Sequence, residues 1–86
     1  MSEEEIEVKV KLFAIYQEAF GTPELKLMLP QQATVGNVLE ILIARQPYLS
    51  KWREITRFGV NLQFVGSDAV LQNGDEVVLI PPVSGG

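Results

Sequence analysis

Only one stretch of this chain has the pattern of a long helix, and that restricts the fold more than any other feature. Thr34 is a suitable N-cap, Val35, Val38, Leu39 and Leu42 follow at i, i+3, i+4 and i+7, and Pro47 lies beyond the end. Ile41 and Ile43 widen the apolar stripe, so this helix is expected to be buried around much of its circumference. The remaining periodic segments repeat every two residues. One helix set among strands must cover one sheet, which predicts an α+β domain.

Ile6, Val8, Val10 and Leu12 alternate with Glu7, Lys9 and Lys11 as a first strand with one buried face. By the same parity Phe13 falls among the charged residues, a large aromatic where the pattern calls for a charge. Residues 16–20 predict a single helical turn, stopped by Gly21 before Thr22-Pro23. Leu25, Leu27 and Leu29 alternate with Lys26 and Met28 up to Pro30 as a second strand, paired with the first across a connection longer than a tight hairpin. From Tyr48 to Phe58 no period holds, which predicts an irregular connector with a turn of helix.

Val60, Leu62 and Phe64 alternate with Asn61 and Gln63 as a third strand. Gly66-Ser67-Asp68 then turns the chain into a brief extended piece at 69–71, and Asn73-Gly74 turns it again into a last strand from Glu76 to Ile80. The apolar run Val77-Val78-Leu79-Ile80 calls for a central place in a mixed sheet of four to five strands. The small fold that meets these conditions is a β-grasp.

At 86 residues and 47% hydrophobic content the chain supports one small domain, expected over residues 6–82, between a flexible acidic N-terminus at 1–5 and a protruding tail at 83–86. A net charge of −4, with seven scattered basic residues, argues against a nucleic-acid surface and against an anionic membrane. Without Cys or His there is no disulfide framework, no usual zinc site and no Cys/His nucleophile or base, so no metal site is expected. The acidic start Met1-Ser2-Glu3-Glu4-Glu5 is unlike a basic signal peptide, and no run reaches the roughly 20 apolar residues of a membrane span, so the cytoplasm is the expected compartment.

Side chains offer little chemistry. Asp75-Glu76 are adjacent on a strand, point to opposite faces and are read as structural. Gly59, Gly66 and Gly74 stand singly at strand boundaries and are read as turn residues, and Tyr16, Tyr48 and Trp52 as core and rim aromatics. The C-terminus is the remaining candidate. Pro81-Pro82 leave the sheet ladder because proline donates no hydrogen bond, and residues 83–86 can reach about 14 Å further at roughly 3.3–3.6 Å per residue. Lacking Cβ atoms, Gly85 and Gly86 can thread a narrow channel and present the Gly86 carboxylate to a partner, with Val83 and Ser84 as the rest of the tail.

The sequence resembles the small, sulfur-carrying subunits of molybdopterin synthase, the MoaD-like branch of the ubiquitin-like β-grasp proteins. The likeness runs through Val8-Lys9-Val10-Lys11-Leu12-Phe13-Ala14, Thr34-Val35 and Val60-Asn61. It is most specific in Leu71-Gln72-Asn73-Gly74-Asp75-Glu76-Val77 running into Pro81-Pro82-Val83-Ser84-Gly85-Gly86. The resemblance implies a non-catalytic subunit with no bound cofactor, whose Gly86 is adenylated with ATP by an E1-like enzyme and converted, through a sulfur donor protein, to a terminal thiocarboxylate (1-thioglycine). The tail then enters the large catalytic subunit and donates sulfur to cyclic pyranopterin monophosphate, building the molybdopterin dithiolene. It also implies a heterotetramer in which two copies flank a dimeric large subunit.

The same resemblance implies a docking patch of Phe13, Phe64 and Ile80, continued by Pro81 and Pro82; against this stands the plainer reading that Phe64 and Ile80 are core residues. Two departures affect the docking details. Leu79-Ile80 replaces the aromatic pair often found before Pro-Pro, and the 48–58 connector matches no family motif. The alternatives are a sulfur carrier for thiamin, tRNA thiolation or cysteine synthesis, a protein modifier joined through Gly86 to lysines, and an interaction module with an inert tail.

Overall fold

The structure, a computed structural model, describes residues 5–82. The first alternation forms β1, Glu5–Leu12, which buries Ile6, Val8, Val10 and Leu12 and turns Glu5, Glu7 and Lys9 outward. It thus begins one residue before the expected domain start. A short helix α1, Ala14–Phe20, follows and ends on Gly21 at φ +71, the left-handed terminator expected there, though the helix is longer than a single turn. Strand β2, Glu24–Pro30, returns antiparallel to β1 from Glu5↔Pro30 to Lys11↔Glu24.

Helix α2, Val35–Arg45, starts where its cap predicts. Thr34 Oγ1 accepts from the Asn37 amide at 3.2 Å, and Asn37 Oδ1 accepts from the Thr34 amide at 2.9 Å, a reciprocal capping box. The next two donors of the first turn are satisfied from far along the chain: the Val35 amide donates to Ala69 O at 2.9 Å and the Gly36 amide to Ser67 O at 2.8 Å. Glycine suits this contact, because a Cβ on Gly36 would lie 3.0 Å from Ser67 O, a tight approach. The piece at 69–71 is therefore a cover for the α2 N-terminus, joined by an isolated Thr34↔Val70 bridge, rather than a strand of the sheet.

The connector after α2 is a 3₁₀ helix over Pro47–Trp52, followed by a turn over residues 53–55. Arg53 donates to both carboxylate oxygens of Glu40, at 2.7 and 2.9 Å, which ties this segment to α2 and holds the Glu40 carboxyl below the usual carboxylate range. The pair is solvent-exposed and adds little stability. Fully buried Tyr16 of α1 meets Thr56 through its hydroxyl. The Thr56 hydroxyl donates to Trp52 O at 2.8 Å, so Tyr16 is the donor in that bond. Burial pushes the Tyr16 phenol above its ordinary pKa. As expected, Tyr16 is a core aromatic and Tyr48 a rim residue.

The single third strand expected over 60–64 is instead a hairpin. Strand β3, Arg57–Val60, and strand β4, Gln63–Val65, are antiparallel and joined by Asn61 and Leu62, at φ +50 and +74. Positive φ at both central residues is the pattern of a type I′ hairpin turn. The parity reading fails here because a two-residue turn pairs Val60 with Gln63, leaving Val60 on the inner face with Val77 and Phe64 on the outer face beside Gly59.

Strand β5, Glu76–Ile80, takes the central position predicted for it, in the order β2-β1-β5-β3-β4, parallel to β1 and antiparallel to β3. Its buried Val77 and Leu79 join Val8, Val10, Leu12, Val38, Leu39 and Leu42 in one core. The α+β reading with a five-stranded mixed sheet holds. Among the described residues no helix is long and apolar enough to cross a membrane, and no cluster of acidic residues could hold a metal ion.

Candidate functional site

The outer face of the sheet is organised around β5. With Val77 and Leu79 turned inward, Glu76, Val78 and Ile80 face the other way. The registers then build one row across four strands: Lys11, Val78, Gly59 and Phe64. Arg57 lies opposite Ile80 in the next row. Phe64 is 79% exposed, and Leu62 at the hairpin tip is 97% exposed. Because Gly59 carries no side chain, the row contains a gap, a shallow and mostly apolar recess of about 160 Å³ lined by Gly59, Leu62, Gln63, Phe64, Val78 and Ile80.

Charge frames this patch. Lys11 Nζ lies 3.8 Å from Glu24 and 3.6 Å from Glu76, a partly exposed three-residue network beside Val78. The hairpin is latched to the base of β5. Asn61 donates through Nδ2 to Asp75 Oδ1 at 2.9 Å and accepts at Oδ1 from the Glu76 amide at 3.0 Å. The other Asp75 oxygen accepts from the Gln72 amide at 2.8 Å. Asp75 and Glu76 are thus structural, one a turn latch and the other an ion-pair partner, as the sequence implies.

Of the expected docking residues, the structure brings Phe64 and Ile80 together as walls of one recess. Phe64 is not a core residue, and Ile80 is half-buried. Phe13 lies just past the end of β1, as the residue that caps α1; the Leu12↔Leu79 register sets it level with Ile80, and it is 49% exposed. It stands outside the recess, at the same end of the sheet. Pro81 is buried and Pro82 exposed, so of the two expected docking prolines only Pro82 is open to contact. Val83, Ser84, Gly85 and Gly86 lie outside the described residues.

Sequence reasoning missed Gly59, Leu62 and Val78 as members of the patch. The available signal was Asn61, a residue that tolerates left-handed backbone, between two short apolar runs. With Leu rather than Gly after it, the turn was hidden in an apparent strand.

Residues 10–86 match the ThiS family model. The chain belongs to the ThiS family. It is 36% identical over 81 residues to the molybdopterin synthase sulfur carrier subunit of Arabidopsis thaliana, covering 94% of this chain and 84% of that protein. Among solved structures, the small archaeal modifier protein 1 of Methanosarcina acetivorans superposes with a TM-score of 0.75 at 35% identity, over 96% of this chain and 99% of that one. The ubiquitin of Caldiarchaeum subterraneum, at 22% identity and a TM-score of 0.65 over 96% and 100%, shares the fold, which is the ubiquitin-like β-grasp of the ThiS family member described here.

Proposed function

We infer that this ThiS-family protein is the sulfur carrier of molybdopterin synthase and serves molybdenum cofactor biosynthesis in the cytoplasm. The observation that carries the reading is the likeness, over nearly the whole chain, to proteins named as that carrier. The family match itself runs to residue 86. In this reading the sulfur is carried at the Gly86 carboxyl, and a chain without Cys fits it. A carboxylate is a poor acyl donor. An E1-like enzyme therefore converts it with ATP to an acyl-adenylate, releasing pyrophosphate; the outer sulfur of a donor-protein persulfide displaces AMP, and a thiol then cleaves the resulting acyl disulfide, forming a disulfide and leaving the thiocarboxylate. The thiocarboxylate sulfur, a stronger nucleophile than a carboxylate oxygen, then attacks cyclic pyranopterin monophosphate within the large catalytic subunit.

The chain itself is not the catalyst in this scheme. Its part is to dock and to present. The exposed outer-face patch around Phe64 supports docking, because an apolar cluster with a charged border is the anatomy of a protein interface. The exit of the chain at Pro81 supports presentation, because it lies one residue from that patch.

Incubation with the E1-like enzyme, ATP and a sulfur donor, followed by the large subunit and the precursor pterin, tests the reading. The expected results are a mass gain equal to one oxygen replaced by sulfur, then formation of molybdopterin. Deleting Gly86, or adding one residue after it, is expected to abolish transfer with the melting temperature nearly unchanged. Full activity from the extended chain would sink the idea. The likeness to an archaeal modifier protein favours a second reading, in which Gly86 is joined to lysines of other proteins. Lysine adducts in the mass spectrum, without a thiocarboxylate, are its signature.

A further inference from the structure

Asn73-Gly74 is the one Asn-Gly pair in the chain; Asn37 and Asn61 precede Val38 and Leu62. Such a pair is chemically labile. The backbone nitrogen that follows asparagine can attack the side-chain amide carbon and close a five-membered imide, and glycine has no Cβ to hinder the approach. The turn imposes both residues. Gly74 stands at φ +89, a conformation that favours glycine, and Asn73 Oδ1 is the acceptor for the Glu7 amide at 2.8 Å. Both are exposed, so water reaches them.

The fold restrains the two groups that would react. The Gly74 amide, whose nitrogen is the nucleophile, donates to Glu7 O at 2.8 Å, and the oxygen on the carbon it would attack accepts from the Glu7 amide. Both bonds end on one residue of β1. The turn is closed on its other side by Asp75, whose amide donates to Gln72 O at 3.1 Å and whose Oδ2 accepts from the Gln72 amide at 2.8 Å. Asp75 O in turn accepts from the Lys9 amide at 3.0 Å. An amide bonded in this way is not free to lose its proton and swing toward Asn73 Cγ, so attack requires the turn to leave β1.

We propose that Asn73 is a site of spontaneous deamidation and that release of the turn from Glu7 gates its rate. The inference does not depend on the sulfur-carrier reading. Water is the only co-reactant. The Gly74 nitrogen gives up its proton and bonds to Asn73 Cγ, the side-chain nitrogen leaves with that proton as ammonia, and the result is a succinimide. Water then opens the ring, at Cγ to give aspartate or at the main-chain carbonyl to give isoaspartate, with no oxidation or reduction. The two products differ in consequence. Aspartate keeps an oxygen where Asn73 Oδ1 accepts from Glu7, whereas isoaspartate lengthens the main chain by one methylene and displaces Gly74 from Glu7 O. That displacement falls two residues from the Asp75 carboxylate that latches the β3–β4 hairpin through Asn61.

Peptide mapping by mass spectrometry, on the purified full chain aged in mildly alkaline buffer with and without denaturing urea, tests the site and its gate. In urea the gain in mass of an amide nitrogen replaced by a hydroxyl oxygen is expected at Asn73, with aspartate and isoaspartate peptides separated by chromatography. In native buffer the same conversion is expected to be slower by about tenfold or more, because it proceeds only through the locally opened turn. Asp75→Ala removes both bonds of the carboxylate that closes the turn, and should speed conversion in native buffer while leaving the rate in urea unchanged. Asn73→Asp should melt close to wild type and show no conversion at this position. Conversion in urea that falls on Asn37 or Asn61 instead overturns the site. Equal rates with and without urea, or an unchanged native rate in folded Asp75→Ala, overturn the gate. Should Asp75→Ala fail to fold, the wild-type comparison decides alone.

Discussion

The two faces of β5 do different work from adjacent residues. Val77 and Leu79 are fully buried in the core with residues of α2 and the neighbouring strands, whereas Val78 and Ile80, each one residue away, are only partly buried on the outer face. Both pairs are aliphatic and both sit in the centre of the sheet. Hydrophobicity alone therefore does not distinguish a residue that holds the fold together from one left at the surface. What distinguishes them is whether the chain covers them itself, and α2 covers only one face.

Truncation on the inner face should have the largest effect. Leu79→Ala leaves a hole in a close-packed core and is expected to cost about 2–5 kcal/mol, read as a shift in the denaturation midpoint. A loss below about 1 kcal/mol would mean that the inner face is less well packed than its burial implies.

Tyr16→Phe probes the edge of the same core and should cost about 1 kcal/mol, the net worth of one hydrogen bond. It also carries a pH signature. Burial raises the Tyr16 pKa, so the folded state holds the phenolic proton more tightly than the unfolded chain does. The resulting stability is complete below the unfolded value of about 10 and is lost as pH rises through the higher folded value. Denaturation series at neutral and alkaline pH should therefore show a loss in the wild type that is smaller in Tyr16→Phe.

Outer-face substitutions should have the smallest effect on folding. Phe64→Glu and Phe13→Glu are expected to stay within about 0.5 kcal/mol of wild-type stability, as exposed positions do, while both weaken association with the large subunit. If either unfolds the protein, the division of labour between the two faces is wrong. If affinity is unchanged in both, the outer face is not where the partner sits.

Legibility followed the range of the interactions involved. The alternation of β1 and β2, the Thr34 cap and the apolar stripe of α2 were plain because each is encoded within a few neighbouring residues. The central place of β5 was readable from its unbroken apolar run. The hairpin at Asn61-Leu62 was not, because alternation of Val60, Leu62 and Phe64 is indistinguishable from a straight strand when the turn lacks glycine. Gly36 went unnoticed for another reason: what makes it fit is the close carbonyl of Ser67, a residue distant in sequence, and nothing nearby marks it. The candidate site divides in the same way. Phe13 was visible as an apolar residue out of parity, whereas the gap over Gly59 depends on four strands in register.

The amino-acid sequence by itself determined the α+β class, the position and cap of the main helix, the inward residues of β1 and β2, and the absence of thiol and imidazole chemistry. These are local or compositional properties, set by spacing, capping and residue type. Only the tertiary structure decided that Phe64 faces outward with Ile80, that Pro81 is buried while Pro82 is not, and that residues 67–69 complete the N-terminus of α2. Each of those outcomes depends on how segments far apart in the chain register against one another, and a single residue of slip in any strand would reverse its faces.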